Sequence, residues 1–233
     1  RSHQSEADQK LVIEHSQLAL SYWPNLVKPY QLMAAAWISL KQEAEYEKYL
    51  ELLLAQVPQS APTFVGLASF RRQKGRYKEG LVAVDKALQL DPDLLEATYE
   101  KTNILWRMQD DSSRQAALTL SQQFLQRVER QGPIEQQIKA RIALGYARNA
   151  LGDSLQAVNE FLAGLQLAEE AGELALQEML LANLCRNYSG LDDYAKMVGT
   201  CHQGMAISIS NRKEYYLGLL GYAYRRLGDT PTN

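Results

Sequence analysis

Residues 61–94 read APTFVGLASFRRQKGRYKEGLVAVDKALQLDPDL. The run from Leu81 to Leu90 carries apolar residues at helical spacing and is stopped at Asp91-Pro92. Proline lacks the N–H that a helix interior needs and pushes the preceding residue out of the helical region. Gly75 divides the stretch into two helix-length segments. A glycine at such a place closes a helix in the left-handed conformation at little steric cost. These residues therefore predict a helix, a tight turn, a second helix and a stop.

The unit recurs along the chain. Pro24, Pro58 and Pro92 stand 34 residues apart, and Lys41 and Gln109 stand 34 residues either side of Gly75. Gly75, Gly152, Gly190 and Gly228 each follow a helical pattern, the last three at spacings of 38. Small residues recur at one first-helix slot: Ala34, Ala68, Thr102, Gly145, Asn183 and Gly221. That slot is read as the place where two antiparallel helices come closest, because bulk there would hold them apart. Each hairpin has apolar residues on more than one face, so stacking the next hairpin on it builds a one-dimensional core.

This pattern resembles the tetratricopeptide repeat, a 34-residue helix–turn–helix unit. Residues 61–94 match best, with Phe64, Leu67 and Ala68 in the first helix, Gly75 and Tyr77 at the turn, and Gly80, Val84, Ala87 and Pro92 after it. Arg71 stands where a large apolar residue is usual, and Gly80 replaces an alanine. A second copy spans 27–60 with Tyr30, Met33, Ala34, Trp37 and Pro58 in register, but has Lys41 for the turn glycine and Tyr46 for a small residue. Later copies are longer, marked by Leu144-Gly145 and Gly152-Asp153, by Gly190 with Ala195, and by Leu220-Gly221, Tyr224 and Gly228-Asp229. The resemblance covers about residues 9–229. It implies an all-α, right-handed superhelical solenoid of antiparallel helix hairpins, with about twelve helices.

The expected helices are 8–22 alone, then 27–40 with 43–56, 61–74 with 77–90, 95–108 with 111–131, 134–150 with 153–171, 174–189 with 192–209, and 212–228 alone. The chain reads as a single array over 1–233, with regular repeats over 8–110 and longer ones of about 38 residues over 111–229. From Gln109 to Gly152 the spacing is 43 instead of 34, which predicts a change of curvature near 110–133. Asp110-Asp111-Ser112-Ser113 starts a helix with good capping residues, and Gly132-Pro133 stops it. The chain opens on Arg1-Ser2-His3, without Met, and its first and last helices lack partners, so it is expected to be a piece of a longer array or multidomain protein. Leu217, Leu220 and Tyr224 are read as an apolar stripe left with one flank uncovered, which a neighbouring copy would cover or which would fray; a C-terminal extension is expected to melt several degrees higher.

Composition narrows the function. With 46% hydrophobic and 22% charged residues and a net charge of −2, nothing steers the chain toward nucleic acid or an anionic membrane. No run of 18 apolar residues exists, so no membrane insertion is expected within the chain. Cys185 and Cys201 are too few for a secreted disulfide scaffold and read as reduced, buried thiols in a cytoplasmic protein. Beside them His202 leaves a metal site one ligand short. The phosphate-loop, dinucleotide, zinc-protease and serine-hydrolase signatures are absent, and Glu169-Glu170 and Asp192-Asp193 sit at helix ends where they complement the helix dipole. The expectation is no enzyme and no cofactor.

The family's register implies that first helices line a concave groove. Its positions here are Ser69, Arg72 and Gln73; Tyr99, Asn103, Trp106 and Arg107; Tyr146 and Asn149; Asn187 and Tyr188; and Tyr222, Arg225 and Arg226. Tyrosine, tryptophan and arginine dominate binding hot spots because they bring large contact area and a polar handle. The function read from this set is a protein-interaction scaffold holding a partner peptide or protein in the groove. The alternative is the regulatory or sensing region of a larger signalling enzyme or transcription activator. Repeats that hold chaperone tails pair a Lys with an Asn one turn on; here Gln31 with Ala35, Val65 with Ser69 and Tyr99 with Asn103 keep only the Asn, which argues against that subtype.

Overall fold

The structure, a computed structural model, describes residues 6–24, 26–56, 59–208 and 212–228. The expected stop at Pro58 and the turn residue Asp229 lie outside them. Residues 61–94 fold as read. Helix α4 (Ala61–Gln73) opens on Ser60, whose hydroxyl accepts from the Thr63 amide at 3.3 Å, with Pro62 in the first turn where its missing N–H costs nothing. It closes at Gly75, with φ +74°; the Arg76 amide donates to the Arg71 carbonyl and the Gly75 amide to Arg72. This double bond across a left-handed residue is the Schellman closure. Helix α5 (Tyr77–Leu90) then runs back along α4 to Asp91-Pro92.

Ten further helices complete the described residues, with no strand among them: α1 (Glu6–Tyr22), α2 (Val27–Ser39), α3 (Glu43–Gln56), α6 (Leu95–Leu105), α7 (Asp111–Val128), α8 (Ile134–Ala150), α9 (Ser154–Glu170), α10 (Leu174–Gly190), α11 (Tyr194–Ile207) and α12 (Lys213–Leu227). They form two compact units, Arg1–Gln109 and Asp110–Asn233, which places α6 and α7 in different units. In the first, α2 packs on α1, α3 and α4, and α6 packs on α4 and α5. In the second, each helix from α7 to α12 packs on the next, and α12 also touches α10. Helix α6 ends at Leu105, earlier than its expected limit at 108.

The same closure recurs at Lys41 (φ +57°), Gly152 (φ +85°), Gly172 (φ +70°) and Asp192 (φ +55°). Asp192 corrects the sequence reading: Gly190 is the last residue of α10, and the left-handed position falls two residues later. Gln109 is not left-handed either. In the second unit Asp153 and Asp193 each cap the following helix, accepting from the Gln156 and Lys196 amides.

Moving the turn to Asp192 moves every slot before it. Seven residues before each left-handed position that follows a first helix (all but Gly172, which follows the second helix α9) stand Ala34, Ala68, Gly145, Cys185 and Gly221, so the small slot of α10 is Cys185, with Asn183 two residues off. Nine residues after the turns at Lys41, Gly75, Gly152 and Asp192, on the second helix, stand Leu50, Val84, Phe161 and Cys201. All of these paired residues are buried in the core. A Cβ on Gly145 would lie 2.5 Å from the Phe161 ring, so the glycine makes room for it. In the next hairpin Cys185 and Cys201 occupy the same two slots, with Cα atoms 5.4 Å apart, and are joined as a disulfide. This overturns the expectation of two free thiols. Cysteines on two different helices met because the repeat sets these slots face to face.

The departures from the repeat are compensated locally. Tyr46 fits because Gly66 lets Tyr30 settle against α4: a Cβ on Gly66 would lie 2.7 Å from the Tyr30 Cβ. The Tyr46 hydroxyl donates to the Tyr30 carbonyl at 2.6 Å, and its ring meets Phe70 edge-on. Arg71 joins Arg76 around Glu47 and Glu79, with Arg76 bidentate on Glu47 at 2.8 and 3.0 Å.

Candidate functional site

In the first unit the predicted groove residues converge on one polar network between α4 and α6. Arg72 lies one turn after Ser69 on α4; its Nε donates to Oε1 of Glu100 at 2.6 Å and its Nη2 to the Ser69 hydroxyl at 3.3 Å. Glu100 is buried, and desolvation pushes its carboxyl above the usual carboxylate range, opposed by Arg72 and then by Arg107. Asn103, three residues on, is also buried; its Nδ2 donates to the Tyr99 carbonyl, and its Oδ1 accepts from Trp106 Nε1 and Arg107 Nη1, both at 3.3 Å. Arg107 Nη1 also donates to the Asn103 carbonyl at 2.6 Å. The guanidinium stacks 3.9 Å from the centroid of the Trp106 ring.

Trp106 and Arg107 lie in the turn after α6, where the sequence had placed them within a helix, and both are half-buried. The result is a fixed aromatic–cationic surface. Tyr99 is half-buried beside it, and Gln73 is exposed. The sequence reading missed Glu100, whose charge suggested a solvated face; the signal available was its spacing of two residues before the small slot at Thr102, toward α4.

In the second unit the residues scatter. Tyr146 on α8 is half-buried, its ring edge-on to Phe161 and its hydroxyl accepting from Asn183 Nδ2 at 2.9 Å. Asn149 is half-buried one turn on. Asn187 and Tyr188 are buried in the core rather than on a groove, as the two-residue shift at Asp192 requires. Burial lifts the Tyr188 hydroxyl above its usual range. The positions equivalent to Tyr146 and Asn149 in α10 are Arg186 and Ser189, and Arg186 is exposed, its Nε 3.4 Å from the Tyr215 hydroxyl. Tyr222 and Arg225 are exposed on α12; the Tyr222 ring meets Tyr194 edge-on, while Arg226 stacks over Tyr194 and donates to its hydroxyl at 2.9 Å.

Among the described residues, no three His, Cys, Asp or Glu side chains are grouped to hold a metal ion, and no helix is long and apolar enough to cross a membrane.

No family model and no curated protein matches the sequence. Solved structures do. A tetratricopeptide repeat protein from Parabacteroides merdae is 12% identical with a TM-score of 0.61, covering 97% of this chain and 88% of its own. The Cut9–Hcn1 hetero-tetramer of the APC/C is 16% identical with a TM-score of 0.64, covering 94% of this chain. The human IFIT1 dimer with PPP-AAAA is 18% identical with a TM-score of 0.62, covering 92% of this chain. The chain spans 40% and 54% of those last two chains. At such identities the likeness is one of fold, and it agrees with the recurring closure and the paired slots. This chain has the tetratricopeptide-repeat fold.

Proposed function

We propose that the chain is a non-catalytic protein-interaction scaffold that holds a partner peptide or protein, with its principal contact surface at Arg72, Tyr99, Trp106 and Arg107 of the first unit. Arg107 stacked on Trp106, with both side chains tied to the buried Asn103, carries the proposal. A half-exposed tryptophan and arginine locked before binding lose little entropy on binding, which is the property of a hot spot. Buried groups on α4 and α6 support this surface, so a partner meets a rigid platform. In the second unit, Tyr146 and Asn149 offer a further contact surface on α8. A similar fold occurs in a protein assembly, the Cut9–Hcn1 hetero-tetramer, which supports a protein partner.

The test is affinity capture on the immobilised protein, with and without nuclease, followed by titration of the identified partner against Trp106→Ala. Nuclease-resistant capture and weakened binding by the folded variant support the reading. Loss of all capture after nuclease treatment contradicts it.

A further inference from the structure

Helix α11 is weakly held by its own sequence. It carries Gly199 and Gly204 within 14 residues, and glycine in a helix interior is destabilising relative to alanine. Gly204 is required, because a Cβ there would lie 2.5 Å from the Tyr216 ring of α12. Gly199 is exposed, and among the described residues nothing comes within 4 Å of a Cβ placed on it. The buried residues of α11 are Tyr194, Met197, Cys201 and Gly204. Val198, Met205 and Ile207 add half-buried contacts. Cys201, between the two glycines, is therefore the buried anchor of the second half of the helix.

This anchor differs in kind from its equivalents. In α3, α5 and α9 the slot is filled by Leu50, Val84 and Phe161, opposite Ala34, Ala68 and Gly145. In α10 and α11 neither residue is large, and the bond between Cys185 and Cys201 takes the place of bulk. We propose that this bond is a reversible redox latch on α11. A dithiol reductant attacks one sulfur, forms a mixed disulfide, then closes its own disulfide and leaves both cysteines as thiols; the two electrons come from the dithiol. The underfilled slot then holds α11 loosely. The helix opens while α8 and α9 stay folded, as neighbouring units of a one-dimensional core can. Glutathione disulfide takes the two electrons back, releasing two glutathione thiols as the bond reforms. The paired slots set the cysteine Cα atoms 5.4 Å apart, within the span a disulfide needs, so the closed hairpin presents them for rejoining.

The latch acts on α12, which packs on α11. The Tyr222 ring meets Tyr194 with centroids 6.0 Å apart, Arg226 Nε donates to the Tyr194 hydroxyl at 2.9 Å, and the Tyr224 hydroxyl meets His202 at 3.1 Å. The expected stripe of Leu217, Leu220 and Tyr224 is thus divided: Tyr224 meets α11, Leu220 is buried and Leu217 is 56% exposed. Opening α11 takes the Tyr194–Tyr222–Arg226 cluster apart, so the position of the predicted contact residue Tyr222 depends on the state of the bond.

Amide hydrogen exchange on the 233-residue chain tests the latch in three states: oxidised, reduced by a dithiol in native buffer, and reoxidised with glutathione disulfide. Oxidised, the α11 amides are expected to exchange at rates near those of α8 and α9. Reduced, they should exchange about tenfold or more faster than α8 and α9, with little dependence on added denaturant, which marks a local opening. Reoxidation should reverse the change. Gly199→Ala should slow α11 exchange in the reduced chain about fivefold, through helix propensity alone. A bond that resists the dithiol without denaturant overturns the proposal. So do α11 amides that still exchange together with α8 and α9 after reduction, a change that reoxidation does not reverse, and a Gly199→Ala chain that exchanges like wild type.

Discussion

Arg72 Nε meets Oε1 of Glu100 at 2.6 Å, and the carboxylate side chain it meets is only 2% exposed. The pair joins two first helices of the first unit and underlies the Trp106–Arg107 stack. Removing one partner of such a pair leaves a buried charge uncompensated. Arg72→Ala is expected to cost about 3 kcal/mol by chemical denaturation at neutral pH. The sign of its pH dependence follows from burial. Glu100 has a raised carboxyl affinity for protons in the folded state, so stability falls as pH rises through its titration. Without Arg72 that affinity rises further. The gap between variant and wild type should therefore shrink on acidification, as Glu100 takes up its proton.

The slot pairing gives opposite expectations for two glycines in equivalent positions. Gly145→Ala drives a methyl into the Phe161 ring and is expected to lose about 1–3 kcal/mol. Gly221→Ala meets no described atom within 4 Å and should gain about 0.5–1 kcal/mol from helix propensity. Thermal melts of both variants check this.

The corrected turn register is open to the same kind of measurement. Asp192 holds φ at +55° and Gly190 is helical, so Asp192→Gly and Gly190→Ala should each be neutral to stabilising by up to about 1 kcal/mol. Gly152→Ala, at φ +85°, should destabilise by about 1 kcal/mol or more. A loss of stability in Gly190→Ala would restore the register read from glycine spacing.

Cys185 and Cys201 close a 16-residue separation across one hairpin. Protein purified without reductant should show no reactive thiol until reduced and unfolded, and reduction should lower its stability by about 3 kcal/mol. Thiol titration with denaturation in the presence and absence of reductant measures both.

Much of this fold was legible because a repeat writes the same constraint several times. Gly75 and Pro92 give the period, and Ala34, Ala68 and Gly145 mark close approach whatever surrounds them. Gly190 misled because a glycine suits a left-handed turn but does not require one; Asp192 takes the turn, its amide donating to Ser189 while the next amide, on Asp193, donates to Tyr188. That slip carried Tyr188 from the core onto an expected groove and hid the Cys185–Cys201 pairing. Of the candidate site, the sequence pointed to Trp106 and Arg107 and not to the buried Glu100 beneath them. A buried Glu100 looks like any helical glutamate until the arginine that neutralises it, from another helix, is placed beside it.

The account rests on the Trp106–Arg107 surface as the place where a protein partner is held. Isothermal titration of the captured partner against wild type and Trp106→Ala, with the variant's helicity and melting temperature compared first, tests it most directly. The account predicts a folded variant whose affinity falls about 30-fold, near 2 kcal/mol. A folded variant with unchanged affinity would contradict it.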